Sequence, residues 1–265
     1  MIGNVGAVFL FEWKRSLTVP RMAWWLVLAG FPVFIIGLIR FGIDSANPDK
    51  DPAPRELWIG FLFALIPMLI SMLGTMLWVT PAISAELERR SWVYLTVRPN
   101  GGVAVLLGKY LAAVTWVIPP ALAGLLAGIY LSRVTNPWQI WWALATMICL
   151  STPAYAAVYL LLGTVMPRRG MVLAVGYSLL FELLIGFVPA LINKLTVHHH
   201  LQALLLLWCE MDIPPEFMQG AIALMGNTPE WQHVAFLMMY PLVLIAASVG
   251  VLRASEFSSS AESDV

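Results

Sequence analysis

Residues 84–109 read SAELERRSWVYLTVRPNGGVAVLLGK, a charged interruption between two stretches apolar enough to lie in lipid. Upstream, residues 57–83 contain no charged side chain; downstream, residues 107–131 contain only Lys109, close to the start. Each stretch exceeds the ~20 residues an α-helix needs to cross a hydrocarbon core. Two spanning helices with a short polar link on one side of the membrane are therefore expected here.

Composition extends that reading to the whole chain. Of 265 residues, 60% are hydrophobic and 11% charged, and the mean hydropathy is +0.82. A soluble domain carries about a quarter charged residues, so an all-α integral membrane protein is expected. The formal net charge of +0 argues against nucleic acid as a partner, because phosphate binding needs a concentrated basic surface. Glu12, Lys14 and Arg15 interrupt the first apolar stretch, which argues against a cleaved signal peptide. Cys149 and Cys209 lie in unlike surroundings and suggest no disulfide.

Residues 2–17 place Ile2, Val5, Phe9, Leu10, Trp13 and Leu17 on one side of a helix, with Asn4, Glu12, Lys14 and Arg15 mostly opposite. Val8 and Phe11 blur the division, but the pattern fits an interfacial helix lying on the membrane. Spans follow at about 22–43, 57–83, 107–131, 138–165, 171–192 and 234–252. Pro119-Pro120 is expected to kink the third span or break its ladder locally. Tryptophans 24, 25, 138, 141 and 142 fall at span ends, as interfacial anchors do. Between the fifth and sixth spans, residues 201–208 and 217–225 are apolar but too short to cross, which suits re-entrant or surface helices. Residues 1–254 form one membrane domain, and 255–265 a Ser-rich acidic tail without means to form a core.

Six spans put both termini on one side. Lys14, Arg15, Arg21, Arg89, Arg90, Arg98, Lys109, Arg168, Arg169 and Arg253 fall on that side, against Arg40, Lys50, Arg55, Arg133 and Lys194 on the other. The richer side faces the cytoplasm, and with it residues 84–109.

Within that link, Glu86, Glu88, Arg89 and Arg90 precede Trp92, Tyr94 and Leu95, a short helix charged at one end and bulky at the other. It reads either as a docking helix for a soluble partner or as an interfacial helix that ends a span. Residues 98–102, RPNGG, are a helix stop. Gly102 and Gly108 are not a phosphate loop: five residues separate them instead of four, and Tyr110 follows Lys109 where Ser or Thr is required. The chain therefore has no ATP site of its own.

Glu86, Leu95, Pro99, Gly108 and Lys109 follow an order that resembles permeases of the ABC-2, exporter-type class of ABC transporters. Ser91-Trp92 departs from the family's small Gly-Thr-like pair. The N-terminal amphipathic helix, six spans and short apolar segments in the last external loop are similar to that family too. The resemblance implies a non-catalytic permease in a plasma membrane, the inner membrane of a bacterium, paired with itself or a second permease. It also implies a separate ATPase that holds ATP and Mg and docks on Glu86, Glu88, Arg89, Arg90, Trp92, Tyr94 and Leu95. Substrate identity is not implied.

Three further features stand apart. Glu182 lies in the middle of the fifth span, where an ionised carboxylate is costly; it reads as part of a transport path, as a titrating group, as a contact to a lipid headgroup, or as a packing residue partnered by Tyr155 or Tyr159. Residues 198–200 are three consecutive histidines; side chains ~100° apart on a helix do not converge on one metal ion, so they read as an exposed external turn. Gly124 and Gly128 match the small-xxx-small pattern of close helix contact, within one subunit or between two. An intramembrane enzyme using Glu182 or the His run, or a non-transporting scaffold, are the alternatives to a transporter.

Overall fold

The computed structural model describes residues 2–46, 54–88, 100–184, 194–211 and 228–254. Among them there is no strand, and the order is α1 (Ile2–Ser16), α2 (Val19–Ala46), α3 (Arg55–Phe63), α4 (Ser71–Val79), α5 (Ser84–Glu88), α6 (Gly101–Ser132), α7 (Pro137–Val165), α8 (Gly170–Tyr177), α9 (Val197–Trp208) and α10 (Glu230–Ala254). Five helical stretches are long and apolar enough to cross a membrane: α2, the run Arg55–Glu88, α6, α7 and α10. The chain is thus an all-α, multi-pass membrane protein. Of the expected fifth span, Gly170–Leu184 is helical, and the remainder lies outside the described residues. So do residues 217–225, the tail at 255–265, and the link at 89–99.

The second span is not one regular helix. Between α3 and α4, Ala64–Ile70 adopts a π-helix containing Pro67. Proline has no N–H to give the carbonyl four residues back; i→i+5 pairing passes that carbonyl to the next donor, which keeps the ladder satisfied inside lipid. Below α4, Thr80–Ala82 tightens into a 3-10 turn before α5. A second π-helix, Ser178–Leu184, continues α8.

The third span begins earlier than its hydropathy indicates. Asn100 adopts a left-handed conformation (φ 59°) and caps α6, which starts at Gly101. The RPNGG signal thus acts as a helix start, and residues 101–106 belong to the span. Helix α6 also runs through Pro119-Pro120 without ending.

Helices α6 and α7 form the centre. The first packs on α1 and α2, the second on α4, α9 and α10, and the two on each other. Close contact depends on glycine at defined points. A Cβ on Gly124 would lie 3.0 Å from the Ala29 carbonyl oxygen, and one on Gly128 2.8 Å from Leu62. The small-xxx-small pair therefore packs α6 against α2 and α3 of the same chain. Gly163 of α7 meets the Thr80 backbone so closely that an added Cβ would fall 2.3 Å from its oxygen.

Helix α1 carries two apolar faces instead of one. Val8 lies against Gly108, and Trp13 donates from Nε1 to Thr115 Oγ1 at 2.8 Å while its ring meets Trp116 edge-on. Leu10 and Phe11 remain more than half exposed. Val8 and Phe11 blur the sequence pattern because one serves the protein contact and the other the outer, lipid-accessible face.

Candidate functional site

At the end of the bundle where α1, α5 and the start of α6 meet, Lys109 is the hub. Its Nζ lies 2.5 Å from Glu86 Oε1 and donates to the Ala82 carbonyl at 2.9 Å. Glu12 of α1 approaches the same ammonium at 3.9 Å and is itself 3.7 Å from Arg15. Lys109 and Glu86 side chains are each only 11% exposed, so the pair is largely withdrawn from water, where charge attraction is less screened. The sequence reading set Glu86 on the docking surface; its carboxylate is instead turned inward to clamp the second span to the third. Glu88 is exposed at the end of α5. Arg89, Arg90, Trp92, Tyr94, Leu95 and Pro99 lie outside the described residues.

This clamp brings three elements to one point: the N-terminal helix, the end of the second span and the start of the third. Residues 89–99 join α5, which carries Glu86, to α6, which carries Lys109. Gly108 beside Lys109 allows α1 to seat, since a Cβ there would fall 2.6 Å from Val8.

A second polar centre lies in the interior. Glu182 has no exposed surface. Tyr177 donates to its Oε1 at 2.8 Å, and Tyr155 to Oε2 at 3.2 Å. The His198 backbone N–H donates to Oε2 at 3.0 Å. Tyr155 is thus the partner foreseen from sequence, whereas Tyr159 bonds Ser178 at 2.6 Å instead. Tyr177 stands five residues before Glu182, a spacing that i→i+5 helical pairing brings onto one side. No sequence signal marks the π turn. The carboxylate sits at the N-terminus of α9, whose Thr196 cap accepts from the His199 N–H. Orphan N–H groups and the positive end of the helix dipole stabilise an anion there. Glu182 thus fastens α9 to the bundle, and this satisfied, sealed setting fits its packing role better than a water-filled path.

The three histidines are not an exposed turn. They form the first turn of α9 after Val197, and all are buried: His198 is 2% exposed, His199 6% and His200 8%. Helix α9 has a strong apolar stripe, so it docks inward and takes its first turn with it. His200 Nε2 donates to the Lys194 carbonyl at 2.9 Å, leaving Nδ1 to accept from His233 Nδ1 at 2.9 Å; His233 Nε2 in turn accepts from Thr228 Oγ1 at 2.9 Å. This is the one assignment of protons that satisfies every contact with neutral rings, since a carbonyl can only accept. His200 also stacks on Phe236, with ring centroids 3.9 Å apart. The histidines join α9 to α10, and no metal-ligating cluster of three or more groups occurs among the described residues.

Comparison of the chain with protein-family profiles and with curated proteins finds no match to either.

Proposed function

We propose that this chain is the membrane-spanning permease of an ATP-driven transporter of the ABC-2 type, with residues 89–99 as the element that receives motion from a separate ATPase. The observation that carries this reading is the Glu86–Lys109 clamp, with Glu12 drawn to it. A link that only joined two spans would need no buried ion pair at its base. A link that transmits force does, because its displacement must move both spans and the surface helix together. The richer set of positive residues at this end supports a cytoplasmic position for it, and in this reading both termini share that side and the chain sits in the inner membrane of a bacterium. ATP and Mg belong to the partner. The chain acts without catalysis, as a pair with itself or with a second permease, and the exposed apolar flanks of α2 and α10, such as Phe34 and Leu242, are available to lipid or to that second copy.

The test is purification of the tagged chain from its native membrane in mild detergent. An ATPase subunit should accompany it, and Tyr94→Ala or Arg90→Ala should release that subunit while the permease keeps its melting temperature. Recovery of the intact chain with no ATPase would remove this reading.

A further inference from the structure

Beside the Lys109 hub, between α1, α2, α4 and α6, lies a cavity of about 420 Å³. Its polar end is formed by Arg15, Arg21, Lys109 and Glu12. Its other walls include the indoles of Trp24 and Trp78 and the side chains of Leu28 and Leu77. Three cations face one carboxylate there. Lys109 is committed to Glu86, and Arg15 is shared with Glu12. Arg21 is positioned differently: one guanidinium nitrogen donates to the Arg15 carbonyl at 3.2 Å, and the group lies 5.0 Å over the Trp78 ring. Among the described residues no carboxylate lies within ion-pair distance of Arg21. Its planar fork is therefore oriented but retains donors for an anion, and such a fork suits two phosphate oxygens at once.

The cavity is apolar on one side and cationic on the other, at the depth where tryptophans mark the membrane–water boundary. Trp24 is 56% exposed and Leu77 42%, so the apolar wall opens towards the lipid side. A soluble phosphate would not use that wall, whereas a phosphodiester with an attached acyl chain uses both halves. We propose that this cavity binds one anionic phospholipid of the cytoplasmic leaflet, the headgroup phosphate held by Arg21 and Arg15 and the upper acyl chain laid along Leu28 and Leu77. The lipid then fills the wedge between the surface helix and the second and third spans, next to the clamp that the link pulls on. The cytoplasmic leaflet supplies anionic lipid to such sites. This inference rests on the membrane placement of the chain and not on its partnership with an ATPase.

The full-length chain, stripped of lipid in detergent, is mixed with phosphatidylcholine vesicles with or without phosphatidylglycerol, and retained lipid is counted by native mass spectrometry. A third arm adds free glycerol phosphate. The wild type should retain one phosphatidylglycerol in preference to phosphatidylcholine. Arg15→Gln/Arg21→Gln should weaken that preference about ten-fold or more, as expected on losing charge-assisted bonds. Arg133→Gln, at the opposite end of the bundle, should retain it. Should the double variant fail to fold, Ala85→Phe decides, since it fills the cavity without changing charge: loss of the retained lipid supports the site, and wild-type retention overturns it. Wild-type retention by a folded double variant also overturns the site, and displacement of the lipid by glycerol phosphate overturns a lipid as its occupant. ATPase recovery is scored in the native-membrane purification, so failure of the lipid site and failure of the permease reading are separate results.

Discussion

Glu86 and Lys109 are 23 positions apart in the sequence and 2.5 Å apart in space, and their worth follows from burial. Removing one partner strands the other charge away from water. Lys109→Met should therefore destabilise the protein by about 3 kcal/mol, and Glu86→Gln/Lys109→Met should recover much of that loss; melting temperatures of the set, read as a double-mutant cycle, check it. Glu182→Gln replaces one acceptor oxygen with a donor amide facing donors, and should cost about 2 kcal/mol; a transporter with unchanged pH dependence in that variant would exclude a titrating role. Pairings of this kind are only half legible in a sequence. Glu182 announces itself by being acidic in an apolar run, and Tyr155 is foreseeable as a phenol on a neighbouring span. Tyr177 is hidden by a local change of helical period, and Glu86 is misread because its exposure depends on where Lys109 arrives.

Helix α9 shows what the elements add to their residues. Burial holds the His198 and His200 imidazoles down to about pH 4, against an ordinary 6.5, with His199 adding repulsion to each. Free in an unfolded chain they take up protons as pH falls below 6.5, whereas in the docked helix they resist until about 4. The stability they allow is therefore complete above pH 6.5 and lost as pH falls through that window. Hydrogen exchange of α9 should accelerate across it, and His200→Gln should flatten the response. The histidine run is polar, so it reads as exposed; only the apolar stripe behind it shows that the turn is carried inward. Spans, by contrast, are legible because a long apolar run has few other fates: each of the five long helices covers a span expected from hydropathy, although the third starts earlier, at Gly101. Their contacts are not. Gly163→Ala would press a methyl onto the Thr80 backbone, which cannot rotate away, and should cost about 2 kcal/mol. Gly176→Ala meets nothing within 4 Å and should stabilise α8 by about 0.5–1 kcal/mol, in the same thermal assay.

Topology follows from assembling these pieces. On the proposed six-span topology, in which helical Gly170–Leu184 would begin the fifth span, reporters at the N- and C-termini should give the same, cytoplasmic signal. Alkaline phosphatase fused after Trp208 should be active and after Arg169 inactive; activity after Arg169 would invert the orientation. The π-helix at Ala64–Ile70 has a consequence for this architecture as a whole. It is equivalent to one surplus residue in the second span, and a surplus residue is a phase shift: everything from Ser71 to Glu88 is turned by roughly 100° relative to a regular helix. Deleting Leu65 would let the upper half keep its neighbours while the lower half swings Glu86 off Lys109 and Thr80 off Gly163. The span would still be long and apolar enough to cross, yet it would present the wrong side to every partner below Pro67, so that insertion into the membrane and assembly of the bundle become separable events.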